Sequence, residues 1–382
     1  MGRADTPGLS SRHAAPSTDA LPRIGILGVG GYLPPTELTN RDLERIVETS
    51  DEWILRRTGI RSRRVLAENE SFLDMAVTAA ERAIEDAGIR PDQIGDIRAG
   101  TNTWMRFPGL ATQVQARIGA RQAAACDVQA GCSGFLYALD QAYTRQIVDR
   151  LRHGRDTYSL VIGADALSHM LDYTDRNTCV LMGDGAGAVV VGEVDAGGIL
   201  ATTIHAQGQF GDLLYSPEVC TSQIAVNGVK SFTHEEVGPR PYVKMNGKKV
   251  YPVAIATMVR DVRKVLEIHN ANADEPITLD DIDLIIPHQA NLRIIEGVAE
   301  KLGASMDRVY TRGVIEYGNT SAGTIPLAYV DAREVWKTSD RRRYEIDVAF
   351  GAGFCSGAIL REVAPVRVAR DSQRRSSLST AR

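Results

Sequence analysis

The sequence predicts an α/β protein made of two related halves, and three observations carry that expectation. Strand-like and helical patterns alternate along most of the 382 residues. The stretch ARIGARQAAACDVQAGCSGFLYALDQA from Ala116 is echoed by EKLGASMDRVYTRGVIEYGNTSAGTIPLAYVDA from Glu300, and VLMGDGAGAVVVGEV from Val180 by IDVAFGAGFCSGAILREV from Ile346, in the same order. Each member of the first pair reads as a helix closing at Leu/Ile-Gly-Ala, a strand, a turn of small residues and a second helix. Finally, 43% hydrophobic and 24% charged residues over this length suffice for a sizeable core without disulfides or metals. The expected organisation is an arm over 1–20, halves over 21–197 and 198–365, and a tail over 366–382, arm and tail being too polar to order themselves.

In chain order, Ile24 to Val29 is a short apolar run that suits a buried strand, and Thr39 to Ile54 has the spacing of one helix. Ser71 to Ala87 is an amphipathic helix that Gly88 should stop. Ser159 to Ile162, Ala188 to Val191, Asp283 to Ile286 and Glu345 to Ala349 are strand-like. The stretch from about Val219 to Pro241 is polar and loop-like. Two glycine runs, GILGVGG from Gly25 and GDGAGA from Gly183, superficially suggest a dinucleotide loop. That motif needs a helix to begin at the glycines; here Pro34 and Pro35 follow the first run and a strand follows the second, so both read as tight turns.

Composition excludes several classes of function. With 44 basic against 48 acidic residues and a net charge of −4, the chain is no general nucleic-acid binder. No apolar run reaches the roughly 18 residues that span a bilayer. Five cysteines, an odd number thinly spread, and an N-terminus without an apolar leader point to a reducing cytoplasm.

Four features could do chemistry. Cys132, in DVQAGCSGF, sits at a strand-to-helix turn, where the positive end of the helix favours thiolate and lowers the thiol pKa; a small buried hydrophobe is the alternative. Pairing with Cys126 on a metal is poorly supported, with no histidine nearby. His288, in LIIPHQANLR, stands just past a strand end, where functional side chains of α/β proteins gather. Asn319, in EYGNTSAGT, occupies another such turn, though Gly-Asn-Thr-Ser is also good turn and cap chemistry. The run FGAGFCSG from Phe350 offers backbone N–H groups for an oxyanion. A thiol, an imidazole, an amide and an N–H loop suit acyl transfer through a thioester.

Six motifs in order, TSDEWILRRTGIRSRR, DVQAGCSGF, TDRNTCVLMGDGAGA, IPHQANLR, YGNTSAG and FGAGF, together resemble β-ketoacyl-acyl-carrier-protein synthase III, of the thiolase-like condensing enzymes, over about 21–365. The resemblance implies the layered αβαβα thiolase fold in two halves and a cofactor-free, metal-free homodimer. It implies that Cys132 takes an acyl group from acyl-CoA, and that malonyl-acyl-carrier protein then loses CO₂ and condenses with it. His288 and Asn319 match the pair that binds the malonyl thioester oxygen, and the N–H groups of Cys132 and Ala352 match the second oxyanion site. By the same resemblance Thr49, Trp53, Arg57 and Arg176 bind CoA, and Phe107 enters the partner's acyl pocket. Gln289, Arg293 and Lys301 fall on the carrier-protein docking face.

The match is incomplete there, because Pro252 and Glu300 stand where the family can carry lysines. A secondary pathway with a non-standard starter is therefore compatible with the chain. Of the rivals, an acyltransferase passing the Cys132 acyl group to another acceptor has no need of the His288–Asn319 pair. A thiolase would place its second cysteine before a C-terminal glycine run, whereas Cys355 follows one. A non-catalytic scaffold would not need the intact trio.

Overall fold

The computed structural model describes residues 21–154, 157–217 and 242–364; the arm over 1–20, the stretch over 219–241 and the tail over 366–382 lie outside them. β1 (Ile24–Tyr32) is followed by β2 (Glu37–Thr39), α1 (Asn40–Leu43), α2 (Asp51–Thr58) and β3 (Ser62–Arg64). Next come α3 (Phe72–Ala87), β4 (Ile94–Gly100), α4 (Leu110–Ile118), β5 (Ala124–Val128), α5 (Gly134–His153), β6 (Tyr158–Ala166) and β7 (Asp184–Glu193). After them run β8 (Gly198–Ala206), β9 (Leu214–Tyr215), β10 (Lys244–Met245), α6 (Gly247–Asn270), β11 (Ile282–Pro287) and α7 (Leu292–Leu302). α8 (Arg312–Glu316), α9 (Thr324–Thr338), β12 (Arg343–Phe350) and β13 (Cys355–Val363) complete the described chain.

The echo in the sequence reappears as an echo in topology. One sheet has the order β1-β7-β6-β4-β5, the other β8-β13-β12-β11. In the first, β4 runs parallel to β5 and β6, and β7 is antiparallel to β6 and β1. In the second, β11 is parallel to β12, and β13 is antiparallel to β12 and β8. Where the first sheet has β5, the second has a single parallel bridge between Ile285 and Val309.

Five layers are held by three cores, the central one reaching both sheets. Met75, Ala79 and Val114 of α3 and α4 pack on the outer face of the first sheet. Met258, Val262 and Ile295 of α6 and α7 pack on the outer face of the second. Phe135 and Leu139 of α5, with Ala328 and Tyr329 of α9, fill the space between the sheets. Each such fully buried large apolar side chain contributes about 1.5–3 kcal/mol. The αβαβα layering expected from the resemblance is the one observed.

Two local expectations differ from the structure. The helix expected over Thr39–Ile54 is two helices, because the segment contains two caps. Thr39 and Asp42 form a capping box on α1, and Ser50 Oγ accepts from Trp53 N at 3.1 Å with Asp51 and Glu52 in the first turn of α2. The two glycine runs are not turns but parts of strands, β1 and β7. A Cβ on Gly28 would lie 2.3 Å from Ala83 O and one on Gly30 would lie 2.3 Å from Ala79 O, so these glycines let α3 lie directly on β1. α3 itself ends as expected, with Gly88 left-handed at φ 67°.

Candidate active site

The site lies where the middle-layer helices begin, and glycines bring their ends together. A Cβ on Gly100 would stand 2.4 Å from the Gly134 carbonyl carbon, so α5 starts against the end of β4. Between β5 and α5 the chain makes a tight turn with Gly131 at φ 57°, and Ser133 Oγ donates to Ala130 O at 2.6 Å. This turn meets the one after β12 backbone to backbone. A Cβ on Gly131 would be 2.3 Å from Ala352 N, and one on Gly351 would be 2.3 Å from Cys132 N. The N–H groups of Cys132 and Ala352 thus belong to two turns in direct contact, an arrangement suited to binding one oxygen between them.

Cys132 is half-buried, and burial pushes its thiol up to about 12; the Ser321 hydroxyl, 3.4 Å from Sγ, acts in the opposite direction. The sequence expectation of a lowered pKa is therefore corrected. Desolvation of the anion outweighs the pull of the helix end, and the resting sulfur is a thiol.

His288 follows β11 and is buried, its ring edge against Phe350 at a centroid distance of 5.5 Å. Burial holds its imidazole down to about 3, so it is neutral near pH 7. Its Nδ1 pairs with Thr324 Oγ1 at 2.8 Å, which directs Nε2 away from α9. Asn319 is buried and held at both ends. Its N–H donates to Leu181 O at 2.9 Å, its C=O accepts from Gly183 N at 2.9 Å, and its Oδ1 accepts from Ser321 N at 2.9 Å. With Oδ1 so occupied, Nδ2 is the free end of the amide. Cys132, His288 and Asn319 line one cavity of about 90 Å³.

Two larger cavities flank this chamber. One, of about 740 Å³, is lined by Trp53, Arg57, Arg176, Lys248 and Arg293 and shares Leu181, Met245 and Tyr251 with the chamber. There Arg176 lies over the Trp53 ring at 5.0 Å and donates to Glu48 O at 2.9 Å. The other, of about 630 Å³, is lined by Met105, Leu167, Met170, Leu214 and Val243, with Cys132 at its boundary with the chamber. Ala352 lines it too. The thiol thus stands between a cationic, aromatic recess and an apolar one.

Not every expected residue falls in place. Thr49 is absent from the lining of the cationic recess, and its Oγ1 is buried without a partner. Gln289 is corrected outright: it is 0% exposed, donates Nε2 to Pro287 O (2.6 Å) and Tyr310 O (3.0 Å), and accepts from Val314 N (3.1 Å). A side chain so enclosed holds the strand end that carries His288 and cannot meet a docking protein. Arg293 and Lys301 are exposed on α7, and Phe107 is 96% exposed. Pro252 lies inside α6 and Glu300 is exposed on α7. Among the described residues no cluster of potential metal ligands occurs, and no helix is long and apolar enough to cross a membrane.

Sequence reasoning missed Arg63, which is fully buried between Gly183 and Gly318. It donates from Nη2 to Val180 O at 2.6 Å and from Nη1 to Asn40 Oδ1 at 2.8 Å, bracing the loop that carries the backbone partners of Asn319. Burial lowers its guanidinium to about 10, still charged at neutral pH. Its place in a run of arginines, RRTGIRSRR, concealed it.

Comparison with known proteins agrees with this geometry. The family model described as 3-oxoacyl-[acyl-carrier-protein (ACP)] synthase III matches residues 126–208, and its C-terminal counterpart matches 273–363. The chain is 40% identical over 338 residues to a beta-ketoacyl-[acyl-carrier-protein] synthase III of Clostridium acetobutylicum, covering 88% of this chain and 98% of that protein. It is 43% identical over 337 residues to beta-ketoacyl-[acyl-carrier-protein] synthase III 1 of Vibrio cholerae, with 88% and 98% covered. Among solved structures it is similar to the 3-oxoacyl-[acyl-carrier-protein] synthase III of Aquifex aeolicus, with a TM-score of 0.76 and 39% identity, covering 88% of this chain and 99% of that one. It is also similar to the priming beta-ketosynthase of the R1128 polyketide biosynthetic pathway, with a TM-score of 0.76 and 30% identity, covering 93% and 99%.

Proposed function

The chain belongs to the β-ketoacyl-[acyl-carrier-protein] synthase III family, and from that membership we propose how its own residues perform the family's reaction. It is an acyl-transferring condensing enzyme with the thiolase-like fold, catalysing the initiating condensation of fatty acid synthesis; a polyketide-priming synthase is among its relatives. Enzymes of this family take an acyl-CoA and a malonyl-acyl-carrier protein.

The reading places the CoA against Trp53, Arg57 and Arg176, whose cations and indole suit an anionic nucleotide. The acyl group reaches past Cys132 into the apolar recess. Neutral His288 accepts the thiol proton through Nε2, the sulfur attacks the thioester carbonyl, and its oxygen develops charge between the N–H groups of Cys132 and Ala352. The carbon–sulfur bond to CoA breaks, and CoA leaves as a thiolate that takes its proton from solvent, so the thiol proton stays on His288 Nε2. Malonyl-carrier protein then enters from the same recess, guided by Arg293 and Lys301. Its C–CO₂ bond breaks, and the electron pair is stabilised as an enolate whose oxygen accepts from Asn319 Nδ2 and His288 Nε2–H. The enolate carbon attacks the acyl carbonyl, the Cys132 thioester breaks, its thiolate takes back the proton from His288 Nε2, and 3-oxoacyl-carrier protein departs. Donors that strengthen as charge develops accelerate the step they serve. Glu300 on α7, and Pro252 where a cation could have stood, leave this docking face less basic, which suits a carrier protein with its own docking angle.

One observation carries the reading: the thiol, the imidazole and the open amide end line a single chamber between a cationic recess and an apolar one. The exposed Phe107 and the outer edge of β5, unpaired among the described residues, support a homodimer. The five thinly spread cysteines support a cytoplasmic site of action. The test weighs the intact protein after incubation with a panel of acyl-CoAs. Wild type gains one acyl mass, Cys132→Ala gains none, and Asn319→Ala loads but condenses about 10²–10³-fold more slowly, the usual loss for one oxyanion donor. Loading of Cys132→Ala would refute the assignment of the nucleophile.

A further inference from the structure

Asp165, at the end of β6, is 0% exposed and gathers donors from two turns. Its Oδ1 accepts from Asn102 N at 2.7 Å and Thr103 N at 3.0 Å, and its Oδ2 accepts from Ala322 N at 3.3 Å. Backbone N–H groups only donate, so both oxygens are acceptors. The amide of Asn102 faces this carboxylate at 3.0 Å and the carbonyl of Gly131 at 3.1 Å. Both partners accept, which leaves one orientation for that amide: its NH₂ end points at them. The same Nδ2 also lies 3.3 Å from Ser321 Oγ, so its two protons serve three acceptors and Ser321 Oγ, the farthest, takes a shared one. A hydroxyl that takes an N–H on its lone pair has its own proton to give, and Cys132 Sγ stands 3.4 Å from it. Ser321 is also the one non-glycine residue with positive φ among the described residues, at 53°. That strained backbone lets its N–H serve Asn319 while its hydroxyl serves the sulfur.

We infer that Ser321 is a further catalytic residue and Asn102 its positioning residue, the Asp165–Asn102–Ser321 chain directing the serine proton onto Cys132 Sγ to stabilise the charge that forms there. The inference rests on the reading of Cys132 as nucleophile. No bond to Ser321 forms or breaks; its hydrogen bond strengthens while the thiol proton passes to His288. Asp165 alone disfavours a second negative charge nearby, and the relay interposes two donors between carboxylate and sulfur. The other titratable groups around Cys132 are His288 and Tyr251 in the chamber and Cys355 and Tyr215 in the apolar recess. None of these is altered in the variants below.

The experiment follows alkylation of Cys132 by iodoacetamide across pH, located by peptide mass. Ser321→Gly removes the hydroxyl and keeps positive φ accessible. Its alkylation at pH 8 slows roughly ten-fold and its pH midpoint rises, as loss of one hydrogen bond to a charged group requires. Asn102→Ala shifts the profile in the same direction, and the double variant is no worse than Ser321→Gly, since both act through one hydroxyl. An unshifted Ser321→Gly profile, or additive effects, would overturn the relay. If Ser321→Gly does not fold, by near-UV circular dichroism, Asn102→Ala alone decides. Alkylation needs neither acyl-CoA nor carrier protein. Failure of the relay is therefore distinct from failure of the condensing role, which Cys132→Ala tests by acyl loading.

Discussion

His288 is enclosed and neutral, and that makes stability depend on pH in one direction. Its imidazole is held down to about 3, against about 6.5 for an exposed histidine. Above pH 6.5 neither folded nor unfolded chain holds the proton. Below 6.5 the unfolded chain binds it and the folded chain does not until about pH 3, so stability is lost as pH falls through that window. From pH 6.5 to 5 the loss is about 2 kcal/mol from this group alone. Urea denaturation at pH 7 and pH 5 should therefore show wild type losing about 2 kcal/mol more than His288→Gln, which keeps the size and removes the titration. Equal losses would mean that the imidazole is solvated in the folded protein. Cys132, His288 and Asn319, which line one cavity, stood out as candidates in the sequence because each stands in a short turn whose glycines and proline mark it. Their protonation was not legible there. The helix end beside Cys132 is a local feature, whereas the burial that outweighs it is assembled from remote segments. Ser321 and Asn102 were illegible for the same reason, since 219 residues separate them.

At the scale of elements, the same glycines carried a signal that was read for the wrong structure. A glycine cluster after an apolar run suits a turn, and in β1 it serves a helix lying on a strand. The sequence holds no mark to separate these uses, because the contact is made by α3, about 50 residues on. The consequence is measurable. Gly30→Ala puts a methyl group 2.3 Å from Ala79 O and 2.3 Å from Ala83 N, backbone atoms with no freedom to turn aside. The helix must lift from the sheet, and overpacking of this kind destabilises by about 1–3 kcal/mol. Gly88→Ala, at the end of the same helix, has open space but a left-handed backbone and should cost only about 1 kcal/mol. Thermal denaturation of the two variants ranks them. If Gly88→Ala is the worse, the close approach of α3 to β1 is not what holds that layer. The boundary near residue 50 was misread by a different route: helical spacing runs through it, yet TSDEW contains its own cap in Ser50 and acidic residues at the start of α2.

The molecule as a whole presents one feature that a single chain does not explain. Phe107 is 96% exposed, beside Met105 at 59%, while Met105 lines the apolar recess behind Cys132. β5, which leads into the Cys132 turn, is the outer strand of its sheet with its far edge unpaired among the described residues. A second copy laid against that edge would cover it, and Phe107 could then close the partner's recess rather than its own. Light scattering should give twice the chain mass of 41.5 kDa. The sharper test mixes variants. Phe107→Ala homodimers should change the relative loading of short and longer acyl-CoAs by about ten-fold or more, the scale on which apolar pockets discriminate one or two methylenes. Co-expressed with Cys132→Ala and isolated as the mixed dimer through two different tags, the Phe107→Ala chain holds the one remaining Cys132 and faces a wild-type Phe107 from its partner. Its loading pattern should return to that of wild type. If it instead keeps the pattern of the Phe107→Ala homodimer, the ring acts within its own chain, and the acyl recess belongs to one subunit alone.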